Sequence, residues 1–296
     1  HGAGFLMTPF PRDDYRDLSR YSPDRSPVKI DLSDNTNLWG THPDALDRIR
    51  SASVDDLARY PELYADTLRE AVAERFNVPC ECVTTGAGSD DILDSAYRAV
   101  YGHGATINYA APTFSMAHVF AQMNGMRSCP VPWPAAVADP GLLLEGDPAL
   151  VYVCRPNNPT GEVVSIDWVE RLLVLRGDGG PLVILDEAYA DFAEETLISR
   201  APEMSRVLVA RTASKAYGLA GLRCGFAVGP EDVALEVEKS RGPYKVSRLT
   251  TDAAALAVRD AGGWMAGTIS ECIANRTRLW SALDSRALSP FESHTN

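Results

Sequence analysis

Along this chain, segments with apolar residues at helical spacing alternate with short apolar runs bounded by polar turns. Leu68 to Phe76 places Leu68, Ala71, Val72 and Phe76 on one side, which predicts a helix. Asp91 to Val100 and Phe114 to Met123 also read as helices, while Cys82–Thr85 and Ala105–Tyr109 predict short strands. Three later runs, Leu150–Cys154, Leu182–Leu185 and Val207–Ala210, are nearly all apolar and rich in branched side chains. Continuous rather than alternating runs predict strands buried on both faces, hence a mostly parallel central sheet flanked by helices, an α/β fold. Beyond Thr250 the pattern turns helical, over Thr251–Ala261 and Trp264–Ala282, with Gly262-Gly263 between them. Residues 1–30 lack periodicity and read as an extended arm. Pro130 to Pro140 is proline-rich and reads as a surface loop.

With 296 residues, 45% hydrophobic and 23% charged, the composition is that of an ordinary globular protein. A net charge of −12 repels phosphate backbones, so nucleic acid is not the expected partner. No apolar run is long enough to cross a membrane, and the start lacks the basic-then-apolar pattern of a secretory signal. Six cysteines scattered through the chain read as reduced thiols of a cytoplasmic protein rather than a disulfide framework. Cys80 and Cys82 form a C-x-C pair without a nearby His or second pair, which reads as two solvent-near loop thiols; no metal site is expected. The chain opens on His1-Gly2-Ala3-Gly4, with Met7 as a candidate start, and ends without a closing helix, which reads as a trimmed or partial chain.

In parallel α/β sheets, ligands sit beyond the carboxyl ends of the strands. Beyond 150–154 comes Arg155-Pro156-Asn157-Asn158-Pro159-Thr160-Gly161, and beyond 182–185 comes Asp186-Glu187-Ala188-Tyr189. Beyond 207–210 lies Arg211-Thr212-Ala213-Ser214-Lys215, running on to Arg223; beyond 82–85, Gly86-Ala87-Gly88-Ser89-Asp90-Asp91 opens a helix. These four segments are expected to meet on one rim carrying a lysine, a carboxylate, a phenol, an amide and a phosphate-ready loop. Singly each has a plainer reading: Asp186 as a turn or cap residue, Asn-Pro-Thr-Gly as a turn, Ser89 as an N-cap, Phe114 as core. Lys215, one of four lysines in the chain, lies among small residues just past an apolar strand, unlike a surface lysine. Gly86-Ala87-Gly88 does not extend to the dinucleotide fingerprint, since Asp91 occupies the third glycine position.

Taken together, Asn157–Gly161, Asp186–Tyr189 and Ser214-Lys215 with Gly221-Leu222-Arg223-Cys224-Gly225 resemble the fold-type I, pyridoxal-phosphate-dependent aminotransferases of class I/II, nearest the histidinol-phosphate aminotransferase-like group. The resemblance runs from Asp31 to Asn296. It implies the fold type I transferase architecture, with a smaller, here incomplete, C-terminal α+β domain. The parts would be an arm over 1–35, a cofactor-binding domain over 36–245 and the start of the small domain over 246–296. It implies pyridoxal 5′-phosphate as cofactor, with Lys215 as its attachment point and Asp186 pairing with the ring nitrogen. Tyr189 and Asn158 would reach the ring's 3′ oxygen, and Phe114 would stack on the ring. Gly88, Ser89 and Asp90 through their backbone, with Thr212, Ser214 and Arg223, would hold the phosphate. The side chains of Asp90 and Asp91 are expected to point outward, as first-turn carboxylates commonly do.

In the family the Tyr of an Arg-Tyr-Pro segment reaches the partner's phosphate. Here that is Tyr60 of Arg59-Tyr60-Pro61, implying a homodimer. The implied partners are an amino donor and a 2-oxo acid acceptor. One departure is local: the family's Asn-x-Asn-Pro reads Asn35-Thr36-Asn37-Leu38, followed by Trp39, which reshapes the substrate side of the site. The arginine that clamps the substrate carboxylate in the family lies beyond Asn296. The expected reaction is amino transfer between an amino acid or amino-alcohol phosphate and a 2-oxo acid. A decarboxylase resembling threonine-phosphate decarboxylase and a non-catalytic cofactor-binding homologue are the alternatives.

Overall fold

A computed structural model of the chain describes residues 10–12, 15–16, 18–20, 22, 24, 26–100, 102, 104–193 and 195–296. Much of the expected N-terminal arm, with Met7, lies outside the described residues. Seven strands form one sheet: β1 (Val83–Gly86), β2 (Thr106–Ala111), β3 (Arg127–Pro132), β4 (Leu150–Cys154), β5 (Leu182–Asp186), β6 (Val207–Thr212) and β7 (Gly225–Val228). Their order is β1-β7-β6-β5-β4-β2-β3, and β7 alone runs against its neighbours. The apolar runs form β4, β5 and β6 at the centre, buried along almost their whole length.

The helices are α1 (Pro43–Arg50), α2 (Val54–Ala58), α3 (Asp66–Phe76), α4 (Ser89–Ala99), α5 (Met116–Met123), α6 (Trp133–Ala138), α7 (Ile166–Arg176), α8 (Glu231–Arg241), α9 (Arg248–Arg259) and α10 (Trp264–Asp284). None of the described helices is long and apolar enough to cross a membrane.

Strand alternation divides the core into two layers. Val151, Val153, Val183, Leu185, Val207 and Val209 face one layer, shared with Leu68, Ala71, Val169 and Leu172 of α3 and α7. Tyr152, Cys154, Ile184, Leu208 and Ala210 face the other, shared with Ile92, Leu93, Phe120 and Val237 of α4, α5 and α8. Helix α9 starts at Ser247, whose side chain accepts from the Thr250 N–H, and lays Ala253, Ala254, Ala257 and Val258 into the first layer against α1 and α3.

The structure corrects two local expectations. Pro130 to Pro140 is not a loop: Arg127–Pro132 is the edge strand β3, and Trp133–Ala138 is helix α6. Proline lacks an N–H and is tolerated at a sheet edge and in a first helical turn, which is where Pro130, Pro132 and Pro134 stand. The buried Trp133 anchors the segment. The Cys80–Cys82 pair is a single 3₁₀ turn, with Cys80 half-buried and Cys82 buried against the core rather than near solvent. Strand β7 adds to the predicted elements; it is only four residues long and follows directly on the loop bearing Lys215.

At its first residue β7 sets the position of the β1–α4 turn. A Cβ on Gly225 would lie 2.4 Å from the Ser89 backbone nitrogen and 2.5 Å from the Gly88 carbonyl carbon. Both obstacles are backbone, so Gly225→Ala should displace the turn and cost about 1–3 kcal/mol, the range for overpacking. Gly221→Ala, which meets open space, should stay within about 0.5 kcal/mol of the parent. Urea unfolding of the two variants checks the contrast.

Candidate active site

Beyond the central strands, alternation sorts the side chains by parity. Cys154, Asp186 and Thr212 continue the α4/α5/α8 face, while Arg155, Glu187 and Arg211 turn to the other. On the first face a cavity of about 580 Å³ opens at the strand ends. Asp186 lies in its wall and is almost wholly buried. The Tyr152 hydroxyl donates to Asp186 Oδ2 at 2.7 Å, and the Ala188 N–H donates to Oδ1 at 3.1 Å. Among the described residues Asp186 has no ion pair with a basic side chain, and the charges acting on it, Asp90 and Glu187, are both negative. Burial therefore raises its carboxyl to about 6, against the two hydrogen bonds that favour the carboxylate.

The twelve residues between β6 and β7 carry the lysine. Thr212 Oγ1 accepts from the Ser214 N–H at 3.1 Å and bonds Ser214 Oγ at 2.9 Å, so both hydroxyls are held at the cavity wall. Lys215 is half-buried, and desolvation pulls its ammonium below the ordinary lysine value; Arg223 acts in the same direction, while Asp34 and Asp90 oppose. Arg223 approaches the β1–α4 turn from the far end of the loop. Gly88 has φ +85°, and a Cβ there would lie 2.5 Å from Arg223 Nη2. Gly88, rather than Ser89, occupies the cap position of α4 and supplies no capping side chain. The helix start thus presents N–H groups beside a guanidinium and two hydroxyls, a set suited to a phosphate.

A strap over residues 33–37 closes one side. Lys215 Nζ donates to the Asp34 carbonyl at 2.8 Å. The Asn37 amide donates to the carbonyls of Lys215 and Ala216 at 3.2 and 3.1 Å, and the Asn35 amide donates to the Tyr189 hydroxyl at 2.9 Å. Burial raises the Tyr189 phenol to about 12. The Lys215 amine lies 5.7 Å from the centre of the Tyr189 ring. Phe114 and Asn158 complete the wall. Neighbouring Asn157 is fully buried and structural: its amide donates to the Pro112 carbonyl at 3.0 Å, and its oxygen accepts from Thr113 at 2.8 Å.

Of the residues predicted from sequence, Ser89, Asp90, Phe114, Asn158, Asp186, Tyr189, Thr212, Ser214, Lys215 and Arg223 all line this one cavity. Gly88 sits behind it, against Arg223. Tyr60 does not reach it; the ring is 79% exposed and lies 5.0 Å from that of Tyr244. The expected outward orientation of Asp90 and Asp91 is corrected. Asp90 pairs with Arg223 at 3.1 Å, and Asp91 folds back to accept from the Ala87 N–H at 3.1 Å and from Lys245 at 2.8 Å. Basic side chains that the sequence order does not reveal draw both carboxylates toward the turn.

The sequence reading missed Tyr152, the strap contacts at Asp34 and Asn35, and a buried ion network on the reverse face. There Arg211 Nε donates to Glu187 Oε2 at 3.2 Å and its Nη1 to Asp191 at 2.9 Å. The Leu197 N–H donates to Glu187 Oε1 at 3.0 Å, and Arg155 lies 3.8 Å from the same oxygen. The detectable signal was an Arg-Glu-Arg set, each residue one position from a cavity-facing residue on adjacent strands.

The cavity fits pyridoxal phosphate. The buried Asp186 carboxylate, without a basic partner among the described residues, suits a protonated ring nitrogen, and the hydroxyl, guanidinium and N–H cradle suits a phosphate. An amine stands on the same wall. A profile of "Aminotransferase class I and II" matches residues 27–296. An aromatic amino acid aminotransferase of Streptomyces coelicolor is 34% identical over 278 residues, covering 91% of this chain and 77% of that protein. Histidinol-phosphate aminotransferase 1 of a Nostoc species is 30% identical, covering 98% and 82%. The crystal structure of histidinol-phosphate aminotransferase from Sinorhizobium meliloti in complex with pyridoxal-5′-phosphate superposes with a TM-score of 0.79 at 26% identity, covering 89% of this chain and 73% of that one. These names favour amino transfer over the decarboxylase alternative. The chain belongs to the class I and II aminotransferases, fold-type I enzymes that use pyridoxal phosphate to move an amino group between an amino acid and a 2-oxo acid.

Proposed function

We propose that Lys215 is the attachment and proton-transfer residue of this aminotransferase, working against Asp186 across one cavity. The observation that carries the reading is the buried Asp186 carboxylate, without a basic partner among the described residues, on the same wall as a lysine with a depressed pKa. When bound, the cofactor supplies an electron sink for the pair left at the donor's α-carbon. Lys215 Nζ removes the α-proton, a task for which an amine shifted toward neutrality is suited. Asp186 holds a proton on the ring nitrogen, and Tyr152 and the Ala188 N–H fix the carboxylate that does so. Tyr189 and Asn158 are assigned to the ring's 3′ oxygen and Phe114 to its face. The Gly88-Ser89-Asp90 backbone, with Thr212, Ser214 and Arg223, is assigned to the phosphate. For Arg223 to serve there, it exchanges its Asp90 pair for the anion.

The same reading makes the enzyme a homodimer in which Tyr60 serves the partner's phosphate; its exposed ring outside its own cavity supports this. Six free cysteines support a reducing, cytoplasmic setting. The division into 1–35, 36–245 and 246–296 is part of the proposal.

Borohydride reduction of the cofactor-loaded chain, followed by peptide mapping, should place the pyridoxyl group on Lys215; a label on any other lysine overturns the assignment. Turnover of an amino acid should require 2-oxoglutarate, and release of carbon dioxide without it would indicate the decarboxylase instead.

Asp186 generates a pH prediction. Its raised pKa means that the folded, cofactor-free chain retains, between about pH 4 and 6, a proton that the unfolded chain releases. The cost of burying the carboxylate is therefore complete above about pH 6 and vanishes below about pH 4. Asp186→Asn should stabilise the cofactor-free chain at pH 8 by up to about 3 kcal/mol and leave it unchanged at pH 4. In the same variant the thermal stabilisation conferred by pyridoxal phosphate should shrink, as melting curves with and without cofactor will show.

A further inference from the structure

Beside the cavity lies a second chamber of about 510 Å³ that shares Asp34, Asn35, Thr36 and Lys215 with it. Its walls are mainly apolar: Leu32, Leu38 and Trp39 flanking the strap, Phe192 after β5, and Cys272 and Leu279 from α10. Trp39 is held in place from two sides. Its backbone N–H donates to Asn37 Oδ1 at 2.9 Å, and its ring packs on the core. Leu38 and Leu279 are exposed apolar side chains of this lining.

A phosphorylated side chain would require several cations or aligned donors here. Among the described lining residues the basic groups are Lys215, already engaged with the Asp34 carbonyl, and Arg276, whose Nη1 donates to the Thr295 carbonyl at 2.6 Å. The Leu38-Trp39 departure therefore lies in the wall of a mainly apolar chamber that Lys215 also lines.

We propose that this chamber receives the side chain of the amino donor, that Trp39 is its specificity-determining residue, and that it selects a flat apolar side chain over a phosphorylated one. The proposal rests on the assignment of Lys215 to the reacting centre. Calorimetry of 3-phenylpropionate and of histidinol phosphate, each against the cofactor-loaded chain, tests it. 3-Phenylpropionate should bind more tightly, and Trp39→Ala should weaken it by about tenfold or more. Because Trp39 also packs on the core, Leu279→Asp, a substitution at an exposed helix position, serves as a second variant and should weaken binding to a similar degree. Titration of the cofactor-free chain separates the two proposals: the aromatic acid should still bind there even if borohydride labels a lysine other than Lys215. Tighter binding of histidinol phosphate, or unchanged 3-phenylpropionate affinity in both variants, overturns the proposal.

Discussion

A buried carboxylate with no basic partner among the described residues is the constraint around which this structure is arranged. Asp186 ends the central strand β5, with a phenol on one oxygen and a backbone N–H on the other. Two hydrogen bonds do not repay the loss of solvent, so its carboxyl sits at about 6. A fold keeps such a group only where something else makes use of the unbalanced charge. In the function proposed for this aminotransferase, that use is a proton held on the nitrogen of the cofactor ring.

Holding the carboxylate in place falls to the reverse face of the sheet. Arg155, Glu187 and Arg211 sit one residue from Cys154, Asp186 and the Ala210–Thr212 pair, and are nearly wholly buried. They tie the ends of β4, β5 and β6 to Asp191 and to the turn at Thr196 and Leu197. Buried ion pairs contribute modestly to net stability, but removing one partner leaves an uncompensated charge that costs about 3–5 kcal/mol. Parity thus sets a buried ion network with paired charges back to back with a carboxylate that, among the described residues, has no basic partner.

Much of this was legible in the sequence. Continuous apolar runs gave the central strands because both faces are covered, and chemistry-bearing residues follow each strand directly, so their convergence could be read from order alone. Tyr152 was not legible because a tyrosine within an apolar strand reads as packing. Only the register, with Cys154 opposite Asp186, shows that Tyr152 shares the carboxylate's face. Strand β3 was hidden by prolines that an edge position tolerates. The strap at 33–37 has no periodicity at all; asparagine amides bonded to distant carbonyls and to Tyr189 place it. Likewise Asp90 and Asp91 are turned inward by Arg223 and Lys245, which lie more than a hundred residues downstream.

The protonation state of the ring nitrogen is the most direct test of the central claim. Nitrogen-15 NMR of the chain loaded with ring-labelled pyridoxal phosphate reads it without recourse to turnover. At pH 8 the ring nitrogen should show the shift of its protonated form, lost when Asp186 is replaced by Asn. An unprotonated ring in the parent protein at that pH would contradict that claim.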